Sequence, residues 1–217
     1  MPRIARQLQH GYCYHILNRG NGRAPLFLDR LDYRAFVALL AGMKAGYEIG
    51  LLAFCLMPNH FHLVLQAGAT GAVSAAMQWA QTSYVSRFRI KYASSGHIFQ
   101  GRFKSFPIQN NEHLLTVMRY VERNPVRAKL VKRATDWSWS SARWRSRADH
   151  WLDDSPVDLG IDWAAYVNAP QTSAELASLR SSVNRGAPFG SHQWRNETAH
   201  LLGLASTLRS RGRPPKK

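Results

Sequence analysis

The chain has 217 residues, enough for one sizeable domain with a tail or for two small ones, and 45% of them are hydrophobic, which suffices for a core. The 29 Lys and Arg residues against 13 Asp and Glu residues give a formal net charge of +16, which indicates a polyanionic partner. Nucleic acid is the first candidate for this partner, and a membrane surface is the second. The two cysteines are far apart in sequence, which argues against a disulfide framework or a zinc ribbon. No signal peptide or membrane-spanning run is expected. Together these features predict a soluble cytoplasmic protein.

The first half of the chain predicts a strand, a helix, two strands and a long helix. Asp29 is placed to cap the first helix, in which apolar residues recur at helical spacing, and Gly46 is placed to end it. Pro58 and Asn59 indicate a turn or bulge between the second and third strands. The expected elements are a strand at 12–20, a helix at 30–44, strands at 47–57 and 60–66, and a helix at 71–93.

The second half predicts a hairpin at 94–108, which is rich in Gly and then alternates, a helix at 111–124 that Pro125 stops, and a short helix at 126–132. The order of elements predicts an α+β fold with a ferredoxin-like antiparallel sheet and helices packed on one face.

The composition changes after about residue 134, where tryptophans are scattered among Ser, Arg and Asp. We expect residues 1–140 to form the main domain and residues 141–217 to be a basic, tryptophan-containing extension with a flexible end. Six tryptophans from residue 137 onward are too apolar for a free linker, so we expect them to pack this extension on the core.

His60 and His62 are the first candidate site residues. Side chains alternate along a strand, so both imidazoles project from one face, where they could converge on a cation. By itself this spacing fits two satisfied structural histidines at least as well.

Tyr120 and Asn124 are four residues apart and therefore lie on one helical face. Asn124 offers an amide oxygen as a third metal ligand, and Tyr120 offers a phenol one turn away. Tyr120 could instead belong to the core, and Asn124 before Pro125 could simply cap a helix.

The segments "MPNHFHLVLQ" and "RYVERNPVRA" together resemble the single-tyrosine HUH transposases, and most closely the REP-associated tyrosine transposases. Further segments in the expected order extend this resemblance over most of the chain, among them "DYRAFVALL" and "SSGHIFQGRFKS". The resemblance implies a divalent metal, Mg²⁺ or Mn²⁺, bound by His60, His62 and Asn124, and it implies that Tyr120 is the nucleophile.

The expected DNA contacts are basic and polar residues outside this set. Arg102 and Lys104 are predicted to share a strand face near two phenylalanines, as in surfaces that hold single strands. A loop after the first strand could read bases, Arg127 could contact phosphate or cap a helix, and the basic C-terminus could be a minor-groove arm or merely disordered. The full set is Asn18, Arg19, Arg23, Arg102, Lys104, Arg127, Arg211 and Arg213.

The expected function is metal-dependent cleavage and rejoining of single-stranded DNA at hairpin-forming, REP-like repeats through a 5′-phosphotyrosine. The expected partner is single-stranded or hairpin DNA, with no membrane and no small-molecule cofactor, and the protein is a nucleoid-associated monomer or homodimer. Two alternatives stay open: a non-catalytic DNA- or RNA-binding protein, and a metal-dependent hydrolase that uses water.

Overall fold

The computed structural model describes residues 8–145, 147, 150–160 and 162–209. Arg211 and Arg213, predicted to contact DNA, lie outside these residues. The described chain forms one four-stranded sheet and eight α-helices. Their bounds are β1 Cys13–Arg19, α1 Arg30–Gly46, β2 Ile49–Met57, β3 His60–Ala67, α2 Ala72–Tyr92, β4 Lys104–Ile108, α3 Glu112–Glu122, α4 Asn124–Arg127, α5 Ser141–Arg145, α6 Trp163–Asn168, α7 Ser173–Arg185 and α8 His192–Leu201.

The sheet has the strand order β2-β3-β1-β4, and each pair of neighbours is antiparallel. This order over the β1-α1-β2-β3-α2-β4 unit confirms the predicted ferredoxin-like α+β fold. The register pairs Arg19 with His60 and Leu17 with His62 on β1 and β3, and it pairs Leu17 with Lys104 on β1 and β4. Strand β1 therefore lies between β3, which carries His60 and His62, and β4.

The first face of the sheet is covered by α1 and α2, as predicted. The Asp29 side chain accepts a hydrogen bond from the Asp32 backbone at 3.0 Å, and the Asp32 side chain accepts from the Asp29 backbone at 3.3 Å, so a capping box starts α1. Aromatic side chains fill this layer, with Phe36, Phe61 and Tyr84 buried among aliphatic residues. Burial of this continuous apolar surface provides the main stabilisation of the fold.

The second face of the sheet is covered as well, which corrects the prediction of helices on one face only. The apolar residues of α3, such as Val117 and Val121, pack on this face together with Trp163, Leu179 and Phe189 from the C-terminal part of the chain. The sheet has apolar side chains on both faces, so both require cover.

Two local predictions were wrong. The segment 94–108 is not a hairpin: its first part pairs with the rest of the sheet only through an isolated bridge between Gly20 and Phe99, and β4 joins β1 instead. The predicted helix at 111–124 ends at Glu122, and the polypeptide resumes a helical turn in α4, where Pro125 is tolerated because the first turn of a helix needs no backbone donor.

The C-terminal segment, defined as the described residues from 134 to 209, docks on the core through the tryptophans, as predicted. The Tyr33 ring stacks on Trp139 with centroids 4.8 Å apart, and Phe54 stacks on Trp151 at 5.8 Å. The division into two domains at residue 140 remains a prediction.

Among the described helices, none combines the length and the apolar character needed to cross a membrane.

Candidate active site

His60 and His62 project from the second face of the sheet, where alternation along β3 places them side by side. Their ring centroids are 5.0 Å apart and the rings are nearly perpendicular. His62 is 4% exposed, whereas His60 at the strand end is more accessible. The pair therefore has one buried and one accessible imidazole.

Each imidazole is held by a hydrogen bond through its Nδ1 atom. His60 Nδ1 lies 2.7 Å from Asn59 Oδ1, and His62 Nδ1 lies 2.8 Å from Nε2 of His15, whose ring stacks on His62. Donation from His60 Nδ1 to Asn59 leaves His60 Nε2 with a free lone pair. A metal would require the same tautomer of His62, with Nδ1–H donating to His15.

The three histidines are kept neutral. Burial lowers the pKa of His15 to about 3, and burial with the nearby charges of Arg19 and Arg127 lowers the pKa of His60 to about 4. Burial, followed by the neighbouring histidines and arginines, also holds the pKa of His62 well below its usual range. Since a metal is bound by neutral imidazole, the pair is in the correct protonation state at neutral pH.

Tyr120 lies on α3 directly over the histidines. Its ring centroid is 5.9 Å from that of His62 and 6.2 Å from that of His15, and both contacts are edge-on. The guanidinium carbon of Arg127 lies 4.0 Å from the Tyr120 ring centroid, and Arg127 also donates to the Tyr120 carbonyl at 3.3 Å. A cation therefore faces the ring whose oxygen would act as the nucleophile.

The donor set fits a divalent metal. Asn124 is 8% exposed, and its amide nitrogen is buried without a hydrogen-bond partner in the described structure. The oxygen and nitrogen of an amide are distinguished by their hydrogen-bond partners. The amide position of Asn124 that has no partner can therefore carry the oxygen, which could serve as a metal ligand. Among the described residues no set of three His, Cys, Asp or Glu side chains could hold a metal, so a third ligand joining His60 and His62 would be of another type, such as the amide of Asn124.

Four of the predicted DNA contacts meet at one pocket, of about 220 Å³. Asn18, Arg19, Arg102 and Lys104 line it. Asn18 itself is committed to the protein, because its amide donates to Gln81 at 2.5 Å and to the Gly101 carbonyl at 3.0 Å.

The other predicted contacts lie elsewhere. Arg23 is exposed in the short 3-10 turn Asn21–Arg23, where its carbonyl accepts from the Asn59 side chain at 3.1 Å. Arg127 lies at Tyr120, as described. Phe99 and Phe103, expected near the strand, are 7% and 9% exposed and belong to the core of α1 and α2, so they provide no stacking surface.

Glu122 is a residue beside the candidate site that sequence reasoning did not select. It is fully buried two residues after Tyr120. Its carboxylate accepts from Ser141 Oγ at 2.5 Å, Arg145 Nε at 2.9 Å and Trp163 Nε1 at 2.7 Å. This Glu122 cluster joins the tyrosine helix to the C-terminal segment with charge-assisted bonds.

Arg119 and Arg123 continue this connection on the same helix. Arg119 donates to the carbonyls of Ala169 and Pro170 at 2.8 and 2.7 Å, and Arg123 donates to those of Val167 and Asn168. The tyrosine helix is thus fixed between the sheet and the C-terminal segment.

His15 and Asn59 are further residues that sequence reasoning missed. Alternation along β1 puts residue 15 on the same face as residue 19, but only the register with β3 shows that His15 meets His62. Asn59 was recognised as a turn residue, and its contact with His60 required the turn geometry.

Comparison with known proteins gives three matches. A family model described as "Transposase IS200 like" matches residues 9–124. A REP-associated tyrosine transposase of Haemophilus influenzae (strain ATCC 51907 / DSM 11121 / KW20 / Rd) is 27% identical over 119 residues, which is 50% of this chain and 67% of that protein. The solved structure of a REP-associated tyrosine transposase bound to a REP hairpin has a similar fold, with a TM-score of 0.56 at 20% identity over 71% of this chain and 93% of that chain. These matches confirm the resemblance drawn from the motifs.

Proposed function

The chain belongs to the IS200-like transposase family, and from this premise we propose that it cleaves and rejoins single-stranded DNA at hairpin-forming, REP-like repeats through Tyr120. The observation that carries the proposal is the meeting of Tyr120 with His62 and Arg127 on one face of the sheet. The name of the H. influenzae relative and the hairpin in the solved structure point to the same class of substrate.

In the proposed reaction the Tyr120 oxygen attacks a backbone phosphorus atom. A bond forms between this oxygen and phosphorus, the bond from phosphorus to the 3′ oxygen breaks, and the phenolic proton ends on the departing 3′-hydroxyl. The DNA on the 3′ side of the break stays on the protein as a 5′-phosphotyrosine. A 3′-hydroxyl of a second end can reverse the step, so rejoining needs no external energy source.

The chain's own side chains support this reaction in distinct ways. Arg127 neutralises negative charge beside the tyrosine, where a phenolate and a phosphate have to approach each other. His15 and Asn59 hold the two imidazoles through their Nδ1 atoms, which leaves Nε2 of each ring to bind a metal. Mg²⁺ or Mn²⁺ held by His60, His62 and Asn124 would supply Lewis acid polarisation of the phosphate oxygens.

A single chain contains the whole proposed set: Tyr120 on α3 meets His62 on β3, and Asn124 follows Tyr120 by four residues at the start of α4. We therefore propose that a monomer is competent for cleavage. A net charge of +16 and this substrate class support the bacterial nucleoid in the cytoplasm as the proposed site of action.

The test is an adduct assay with 3′-labelled single-stranded hairpin DNA and Mg²⁺ or Mn²⁺. We expect a protein–DNA band that resists denaturation and disappears in Tyr120→Phe. Tyr47→Phe is the matched control, because Tyr47 packs beside α1 and α2 on the other face of the sheet. Cleavage without an adduct would indicate a hydrolase that uses water, and binding alone would indicate a non-catalytic DNA-binding protein.

A further inference from the structure

The pocket lined by Arg19, Arg102 and Lys104 is adjacent to the proposed active site. Arg19 and Leu17 on β1 pair directly with His60 and His62 on β3, and Leu17 pairs with Lys104 on the other side. Paired residues in an antiparallel sheet project from the same face. The pocket therefore opens one strand away from the two histidines, on the face that carries Tyr120.

One wall of this pocket comes from α7 in the C-terminal segment, through Val183 and Asn184. These residues lie beyond residues 9–124, the part that matches the family model. Arg180, one turn earlier on α7, is close enough to Arg127 that its charge adds to the effect of burial in lowering the pKa of Arg127. The helix thus borders the pocket, and its Arg180 lies on the side of Arg127.

The position of α7 is fixed by backbone pairing immediately after it. Phe189 donates from its backbone nitrogen to the Pro107 carbonyl at 2.9 Å, and Gln109 donates to the Phe189 carbonyl at 3.0 Å. Phe189 and Ile108 form a parallel bridge at the end of β4. The wall is therefore attached to the sheet rather than to a free loop.

The lining of the pocket suits one nucleotide of a single strand. Among the described lining residues there are three cations and no carboxylate, and the amides of Gln100 and Asn184 add donors and acceptors. No ion pair occupies Arg19, Arg102 or Lys104 within the described part of the chain. A volume of about 220 Å³ is several times the roughly 30 Å³ share of one water molecule.

We propose that this pocket binds one unpaired nucleotide of the DNA strand next to the phosphate that Tyr120 attacks, with α7 as its base-contacting wall. Arg19, Arg102 and Lys104 hold the phosphates of this nucleotide, while Val183 and Asn184 contact its base. The inference rests on the proposed function, since it places the nucleotide relative to the cleaved phosphate.

The test measures binding of full-length Tyr120→Phe protein, which keeps the DNA uncut, to a fluorescent hairpin with an unpaired extension. Each unpaired position is replaced in turn by an abasic residue, which removes the base and keeps the phosphates. We expect one position to lose about tenfold in affinity, the scale of one base contact. Asn184→Trp, which fills the pocket from an exposed position, should weaken binding of intact DNA about tenfold and abolish the abasic effect.

Ser178→Trp is the control, because Ser178 is exposed, lies on the side of α7 turned away from Val183 and Asn184, and should leave the abasic effect unchanged. Equal affinities for all abasic positions, or an abasic effect that survives in Asn184→Trp, would overturn the inference. The adduct assay is read separately with Tyr120 intact. Loss of affinity at one position without adduct formation would support the nucleotide pocket and contradict the proposed function. Adduct formation without that loss would support the proposed function and contradict the nucleotide pocket.

Discussion

Different interactions hold the side chains on the two faces of the sheet. On the α1 and α2 face, Phe36 meets Phe61 and Tyr84 with ring centroids 5.0 and 5.1 Å apart, in a layer that is almost wholly apolar. On the other face, His62 and Tyr120 are also buried, but His62 hydrogen-bonds to His15 and the Tyr120 ring faces the guanidinium of Arg127. Apolar contacts have little directional preference, whereas hydrogen bonds fix angles and protonation states. The first face should therefore govern stability, and the second should govern the placement of reactive atoms.

The largest expected effect is on the apolar face. Phe36→Ala removes a fully buried ring and should lower the free energy of unfolding by about 3–5 kcal/mol. The measurement is urea unfolding followed by circular dichroism. Leu31→Ala, on the same helix but 54% exposed, is the control and should change stability by less than about 0.5 kcal/mol. If the folded fraction of Phe36→Ala forms adduct far more slowly than the parent, the division between the faces is wrong.

Glu122→Gln tests whether the tyrosine helix is positioned by its buried carboxylate. Loss of charge-assisted bonds to Arg145 and Trp163 should lower the free energy of unfolding by about 1.5–3 kcal/mol. It should also slow adduct formation in protein that is still fully folded, with little change in DNA affinity. Glu112→Gln makes the same change at a side chain that is 76% exposed in the first turn of α3. An unchanged adduct rate in folded Glu122→Gln would mean that the cluster is structural only.

His15→Phe should weaken Mn²⁺ binding by about 10- to 100-fold, because it keeps the packing of the ring but removes the hydrogen bond that fixes His62. Calorimetric titration with Mn²⁺ measures this directly, without DNA. His97→Phe changes an exposed histidine and serves as the control. Equal Mn²⁺ affinities in the two variants would show that His15 does not orient a metal ligand.

The smallest expected effect is at a polar contact on the apolar side. Lys44 Nζ lies 2.9 Å from Asp153, and both side chains are partly exposed, so Lys44→Gln should cost less than about 1 kcal/mol. The difference should shrink in high salt, because screening weakens exposed pairs. Unfolding curves at low and high salt provide the check, with Lys132→Gln as an exposed control. A larger, salt-independent loss would give this pair a role like that of the Glu122 cluster.

Local patterns determined much of the fold, and they failed where distant partners decide. Helical spacing, with the Asp29 cap for α1, predicted the bounds of α1 and α2 to within about two residues. Alternation along the strand predicted that His60 and His62 share a face. The segment 94–108 has the composition of a hairpin, yet only its second part finds a strand partner, in β1.

The rest of the candidate site depended on register and on tertiary packing. His15 became part of the site through a hydrogen bond to a residue 47 positions away in sequence, and Glu122 was identified only through its partners on two later helices, α5 and α6. The amphipathic pattern of α3 does not reveal which of its polar positions will be buried. The same holds for Asn184, whose position beside Arg19 follows from the pairing of Phe189 with β4.

The Glu122 cluster has a consequence for the order of events during synthesis. Translation delivers Tyr120 and the histidines first, while Trp163, a partner of Glu122, follows 41 residues after that carboxylate. While residue 163 is still missing, a ribosome-bound chain holds Tyr120 on a helix whose buried Glu122 carboxylate lacks its indole partner, whereas domains that emerge early otherwise fold as they appear. We therefore expect the tyrosine helix to reach its full packing only after residue 163 has emerged from the ribosome.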